Sequence, residues 1–192
     1  MSSGPTAFAA APGAAYSESM LGRAVLFAGG LGAWTLLEYV IHGPLSHRFR
    51  TFVRPLHDVH HRDPHAVFTA RAWLPLLAIT LALIMFSGFH PATFFFLGVV
   101  GGFVGYEAVH YRIHFVHPRN QLETRLRIRH LAHHTCRPNA IFGVTSPLWD
   151  RVFGTEPAPA DHEEMHVAVR DIPALTGPSN WKRAFTMYLP GR

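Results

Sequence analysis

The stretch AWLPLLAITLALIMFSGFHPATFFFLGVVGGFVGY, Ala72 to Tyr106, runs for 35 positions without Asp, Glu, Lys or Arg. It is the strongest membrane signal in the chain. Ser87-Gly88-Phe89-His90-Pro91 interrupts it midway, which predicts a helical hairpin with an uncharged tip and two arms of about 15 residues each. Arms of that length fall short of the roughly 17–25 residues of a usual span, which leaves three outcomes open: a hairpin with little tilt, a thinned bilayer, or an incomplete crossing.

A second apolar run, Leu21 to Ile41, is broken only by Arg23 and Glu38. About 20 helical residues cross the hydrocarbon core, so this run predicts one span. Gly29, Gly30 and Gly32 would allow a close helix neighbour, and Pro44 would end or kink the helix. The expected architecture is all-α: an integral membrane helix bundle with about three apolar helices, the last two a short hairpin.

Charge sets the orientation. Sixteen arginines and one lysine, Lys182, outnumber 12 acidic residues in a 192-residue chain with only 15% charged residues, against roughly 25% in soluble domains. Arg48, Arg50, Arg54 and Arg62 precede the hairpin, and Arg112, Arg119, Arg125, Arg127, Arg129 and Arg137 follow it. An Arg at the bilayer centre costs about 2.5–3.5 kcal/mol, and excess Lys and Arg mark the cytoplasmic side, so both segments form a cytosolic helical cap. No basic-aromatic platform accompanies these arginines, so they suit anionic lipid head groups and no nucleic-acid partner is expected.

The chain divides into a disordered leader over 1–19, a membrane domain over 20–155, and a Pro-rich, acidic tail or interface cap over 156–192. The leader has no Lys or Arg to form a signal peptide's basic region. Cys136 is the only cysteine, which rules out an internal disulfide and a thiolate cage; a free buried thiol is expected there.

Ten of the 15 histidines fall in four groups beside the apolar runs: His42 and His47; His57, His60 and His61; His110 and His114; His130, His133 and His134. Spacings of i, i+3 and i+4 share one side of a helix, which covers the last three groups. His42 and His47, five apart around Pro44, need a local break that folds His47 back. Ten convergent imidazoles overfill one ion, which takes four to six ligands, and suit two. Imidazole alone does not choose among iron, zinc, copper and nickel. His117 is in phase with His114 but precedes Pro118, leaving ligand and spectator both open; His65, His90, His162 and His166 are expected outside the site. Glu38 and Glu107, each near a histidine, are expected to orient an imidazole through its second nitrogen.

These residues resemble the membrane histidine-box hydroxylases and desaturases, above all the fatty acid 2-hydroxylase group of the sterol desaturase/fatty acid hydroxylase superfamily. The matching text is Glu38-Tyr39-Val40-Ile41-His42-x4-His47, His57-x2-His60-His61-x2-Pro64, Gly105-Tyr106-Glu107-x2-His110-Tyr111-x2-His114, His130-x2-His133-His134, and Phe142-Gly143-Val144-Thr145-Ser146-x2-Trp149-Asp150-x2-Phe153-Gly154-Thr155. The resemblance implies a cap in which the ten histidines hold two irons, and O2-dependent hydroxylation of a fatty acyl chain, often at the carbon next to the carbonyl. Asp150 would close the cap by hydrogen bonding or turn formation. Gly43, Pro44 and Ser46 depart from the Arg and aromatic residues common in the first box. No fused cytochrome b5-type domain is expected, so a separate b5- or ferredoxin-type carrier and its reductase would supply electrons. Zinc, which binds more tightly than ferrous iron, could replace it in purified protein but has no redox chemistry. A desaturase, or a hydroxylase of sterols or carotenoids, shares the same ligands. A metal transport or storage protein is the alternative of another class, though transport favours polar ligands within the spans.

Overall fold

The computed structural model describes residues 20–68, 70–88 and 90–185, so the expected leader over 1–19 and the last residues of the tail lie outside the described residues. Among the described residues every regular element is helical. The first helix, α1 (Met20–Val40), passes without a break into a π-helical segment, Ile41–Arg48. There follow α2 (Arg54–Arg62), α3 (Ala70–Ser87), α4 (Pro91–Phe115), α5 (Gln121–Thr135), α6 (Leu148–Phe153), α7 (Asp161–Val169) and α8 (Pro178–Phe185).

Two stretches, Met20–Arg48 and Pro91–Phe115, are long and apolar enough to cross a bilayer, and only 22% of an apolar 18-residue span in each is buried within the protein. A core helix of a soluble protein would be mostly buried. Here Leu21, Leu77, Met85 and Phe86 point outward at 54–87% exposure, and an apolar outer face of this extent belongs in lipid.

The hairpin forms, with unequal arms. Gly88, at φ 54°, ends α3 in the left-handed region, and Pro91 opens α4 behind His90, whose Nδ1 accepts from the Ala92 N–H at 3.3 Å. The second arm does not stop at Tyr106 as the charge pattern suggested. No helix breaker stands where charge resumes, so α4 continues for 25 residues, about 37 Å at 1.5 Å per residue, and carries His110 and His114 on the membrane helix itself.

α1 and α4 meet backbone to backbone. A Cβ on Gly30 would lie 2.0 Å from the Phe95 carbonyl oxygen, one on Gly98 2.1 Å from that of Phe27, and one on Gly102 2.4 Å from the Trp34 Cβ. Of the three glycines that predicted close contact, only Gly30 makes it; Gly29 merely touches the Phe95 ring, and Gly32 has nothing within 4 Å. On the cap side, Met165 and Val169 of α7 join Leu131 and Ala132 of α5 in one apolar cluster, and Ala184 of α8 packs on Val67 and Phe115.

This packing predicts that Gly98→Val costs about 1–3 kcal/mol through overpacking. The monodisperse, folded fraction in detergent after a heat step should fall sharply. Gly105→Ala, where a Cβ would meet nothing within 4 Å, should leave it unchanged or higher.

Candidate metal centre

The four histidine groups meet at the cap end of α1 and α4. They form two clusters of five ligand nitrogens, His42, His47, His57, His61 and His133 in one, and His60, His110, His114, His130 and His134 in the other. Within each, the ligand atoms all lie within 4.8 Å of one another. Each HxxHH sequence divides between the two. The i and i+4 members, His57 and His61 or His130 and His134, enter one cluster, while the i+3 member, His60 or His133, enters the other. Helix geometry explains the division, since neighbours at i+3 and i+4 point about 100° apart around the axis. The expectation of one shared face is therefore too coarse: α2 and α5 are wedged between the clusters and serve both.

His42 and His47 are brought together by the π-helical turn. In an α-helix five residues rotate by roughly 140° past a full turn, whereas a π-helix closes i→i+5. The Phe49 N–H donates to the Pro44 carbonyl at 2.9 Å, and the Ser46 hydroxyl to the Ile41 carbonyl at 2.6 Å, both five residues apart. Gly43 leaves room for the Phe142 ring, which a Cβ would meet at 2.7 Å. The three departures in the first box thus each have a local task.

In the first cluster, the His47 Nε2 stands 2.8 Å from that of His57 and 3.1 Å from that of His133, and His61 lies 2.8 and 3.2 Å from the same two atoms. In the second, the His110 Nε2 is 2.9 Å from His60 and 3.0 Å from His130, with His114 and His134 each 3.0 Å from His130. An ion bound to imidazole at about 2.0–2.1 Å holds neighbouring nitrogens at right angles about 2.9 Å apart. The observed spacings match that value, so the donor set fits two metal ions of five-nitrogen coordination.

Two backbone carbonyls aim rings from outside. The His42 Nδ1–H donates to Phe142 O at 2.6 Å, and the His133 Nδ1–H to Ala140 O at 2.8 Å; this places a proton on Nδ1 and leaves Nε2 bare for a cation. Ile141, between these carbonyls, is 1% exposed and held at φ 62°, a strained conformation for a β-branched residue. Burial, reinforced by neighbouring imidazoles, keeps His57, His60, His130, His133 and His134 well below the ordinary imidazole range, and pushes His61 down to about 4. These rings stay neutral and free to ligate at physiological pH.

The carboxylates do something other than what their spacing suggested. Glu38 does not touch His42: its Oε1 accepts from the Val144 and Thr145 N–H groups at 2.6 and 2.8 Å, pinning the loop beside the Phe142 carbonyl. The reason is direction, because the loop's free N–H groups lie over the end of α1 and take the carboxylate first. Glu107 makes no hydrogen bond to an imidazole; its Oε2 is buried without a partner. Asp150, fully buried, accepts from the N–H groups of Phe142 and Gly143, from the Thr155 hydroxyl and from Arg129, all at 2.7–2.9 Å. Trp149 Nε1–H donates to the Thr35 hydroxyl at 2.9 Å, tying the same motif to α1.

None of the other five histidines joins either cluster. His65 bridges Asp63 and Asn180, His90 caps α4, and His117, His162 and His166 are exposed. Cys136 is half-buried against the α5–α7 core. The carbonyls of Ala140 and Phe142 are the functional groups that sequence reading missed; main-chain atoms carry no residue signature, and only the Phe142–Thr155 motif marked their neighbourhood.

A cavity of about 280 Å³ opens beside the clusters, reaching His42 and His57 of one and His60 and His110 of the other. Its remaining wall is mainly apolar, with Ile41, Val53, Leu56, Leu76 and Phe103. The loop that aims His42 hangs on Asp150, so Asp150→Ala, which leaves buried N–H groups and Arg129 short of a partner, should cost about 3–5 kcal/mol. Melting in detergent should show a clearly larger loss for Asp150→Ala than for Asp150→Asn.

Comparison with known proteins agrees with this geometry. The model of the fatty acid hydroxylase family matches residues 27–155. A dihydroceramide fatty acyl 2-hydroxylase of Arabidopsis thaliana is 34% identical over 145 residues, 69% of this chain and 61% of that protein. A ceramide very long chain fatty acid hydroxylase of Schizosaccharomyces pombe is 31% identical over 156 residues, 73% of this chain and 44% of that protein. A fatty acid 2-hydroxylase of Mus musculus is 30% identical over 156 residues, 73% of this chain and 41% of that protein. The chain thus spans about half the length of these relatives, and no solved structure matches it. Carrying the family's sequence pattern over most of its length, with its histidines gathered into two clusters beside an apolar cavity, the chain belongs to the fatty acid hydroxylase family.

Proposed function

We propose that the protein is a membrane lipid hydroxylase that uses two irons and O2 to hydroxylate a fatty acyl chain at the carbon next to its carbonyl. The observation that carries this reading is the pair of five-nitrogen clusters lying against one apolar cavity. His42, His47, His57, His61 and His133 would hold one ion, and His60, His110, His114, His130 and His134 the other. Bound iron supplies the redox chemistry that activates dioxygen toward an unactivated C–H bond, which zinc lacks.

The chain's own residues do the rest. The apolar wall takes the acyl chain out of water, and Phe142, packed against His42, His47 and His133, limits solvent on the loop side. The Phe142 and Ala140 carbonyls fix the tautomers of His42 and His133, while Asp150 and Glu38 fix the loop. In this reading residues 20–155 form the catalytic domain and 156–192 its cap, with the metal centre on the cytoplasmic face. A separate b5-type or ferredoxin-type carrier with its reductase delivers electrons there.

Lipid mass spectrometry of expressing cells tests the reading. Wild-type protein should add one oxygen to acyl chains at the carbon next to the carbonyl. His133→Ala should abolish that product while the protein still accumulates. An unchanged lipid profile with abundant, iron-loaded protein would contradict it.

A further inference from the structure

Glu107 is the group this account leaves unused. It sits on α4 one turn before His110, a rise of about 4.5 Å, and is 5% exposed. Its carboxyl makes no hydrogen bond to any described residue, and its Oε2 is fully buried. The residue lines the cavity that reaches both histidine clusters. A buried carboxyl without a partner costs stability and would be replaced at a gain by an apolar side chain of similar size. A structural role does not explain it. Among the described residues, no lysine or arginine lines the cavity to pair with it.

Its neighbours sharpen the point. Ten buried side-chain polar atoms lack a partner among the described residues, and four of them belong to residues that line this one cavity, Trp34, His60, Glu107 and His110. Unsatisfied groups concentrated at one place are completed by something that binds there. The rest of the wall is apolar and suits a hydrocarbon chain, so the missing partner is the polar end of that chain.

We propose that Glu107 is a positioning residue whose carboxyl hydrogen-bonds the polar head of the acyl substrate and so fixes which carbon faces the histidine clusters. This rests on the lipid hydroxylase reading. A head held at Glu107, one turn from His110, keeps the oxidised carbon close to the head instead of far along the chain. The head that fits offers both a donor and an acceptor to that carboxyl, as an acyl amide or a hydroxyl-bearing acyl lipid does.

The test compares detergent-solubilised full-length wild type, Glu107→Gln and Glu107→Leu. Three readouts are taken: thermal unfolding without lipid, equilibrium binding of a long-chain N-acyl ethanolamide, and the position of the added oxygen in the product. Glu107→Leu should melt at or above the wild-type temperature, bind the amide about tenfold more weakly, and spread the oxygen over neighbouring carbons. Glu107→Gln, which keeps a donor and an acceptor, should restore binding to within about threefold and keep one product position. A Leu variant that melts lower than wild type assigns Glu107 a structural role and overturns the proposal, as does a Leu variant with wild-type binding and product position. A wild type that binds the amide but hydroxylates nothing overturns the hydroxylase reading instead, while melting and binding still report on Glu107.

Discussion

Ten imidazole nitrogens crowded into two sets of five, each within 4.8 Å of one another, are the constraint on which the structure depends. With the His42 and His133 protons committed to backbone carbonyls, their Nε2 atoms are bare lone pairs facing other nitrogens. Two neutral imidazoles can share a proton at one contact, but five converging nitrogens cannot all be satisfied that way. Burial removes the other remedy, protonation, by keeping the rings neutral. The arrangement becomes favourable only with a cation inside each cluster, and the surrounding fold must hold it together from outside.

That outside framework is visible at three levels. The α1–α4 pair meets at Gly30 and Gly98 with no side chain between, fixing the ends that carry His42, His110 and His114. Asp150 and Glu38 then hang the 142–145 loop over the clusters through six main-chain and side-chain donors besides Arg129. Finally the loop's own carbonyls aim two rings, at the expense of a left-handed Ile141. The two clusters differ in access as a result. His47, His57 and His61 are half-buried, whereas His60, His110, His114 and His130 are buried.

Much of this was legible in the sequence where one physical rule governed the outcome. The charge-free run from Ala72 to Tyr106 announced a hairpin, and the spacing of the histidine groups announced convergence. Legibility failed where two rules competed. Charge resuming at Glu107 suggested a helix end, but nothing there breaks a helix, and α4 runs on to Phe115. Pro44 suggested a kink; the chain instead adopts a π-helical turn, which accommodates a residue without an N–H and supplies the five-residue closure that His42 and His47 require. Proximity in sequence suggested that Glu38 orients His42, yet its partners come from a loop more than a hundred residues away. Long-range main-chain contacts leave no trace in residue spacing.

The central claim is that the imidazoles enclose two metal ions, and counting metal in protein purified without oxygen tests it most directly. Elemental analysis of wild type reconstituted with ferrous iron should give two ions per chain, and His61→Ala and His114→Ala, which each weaken a different cluster, should each leave about one. Wild type that retains one ion or none after reconstitution, while folded and monodisperse, would contradict the account.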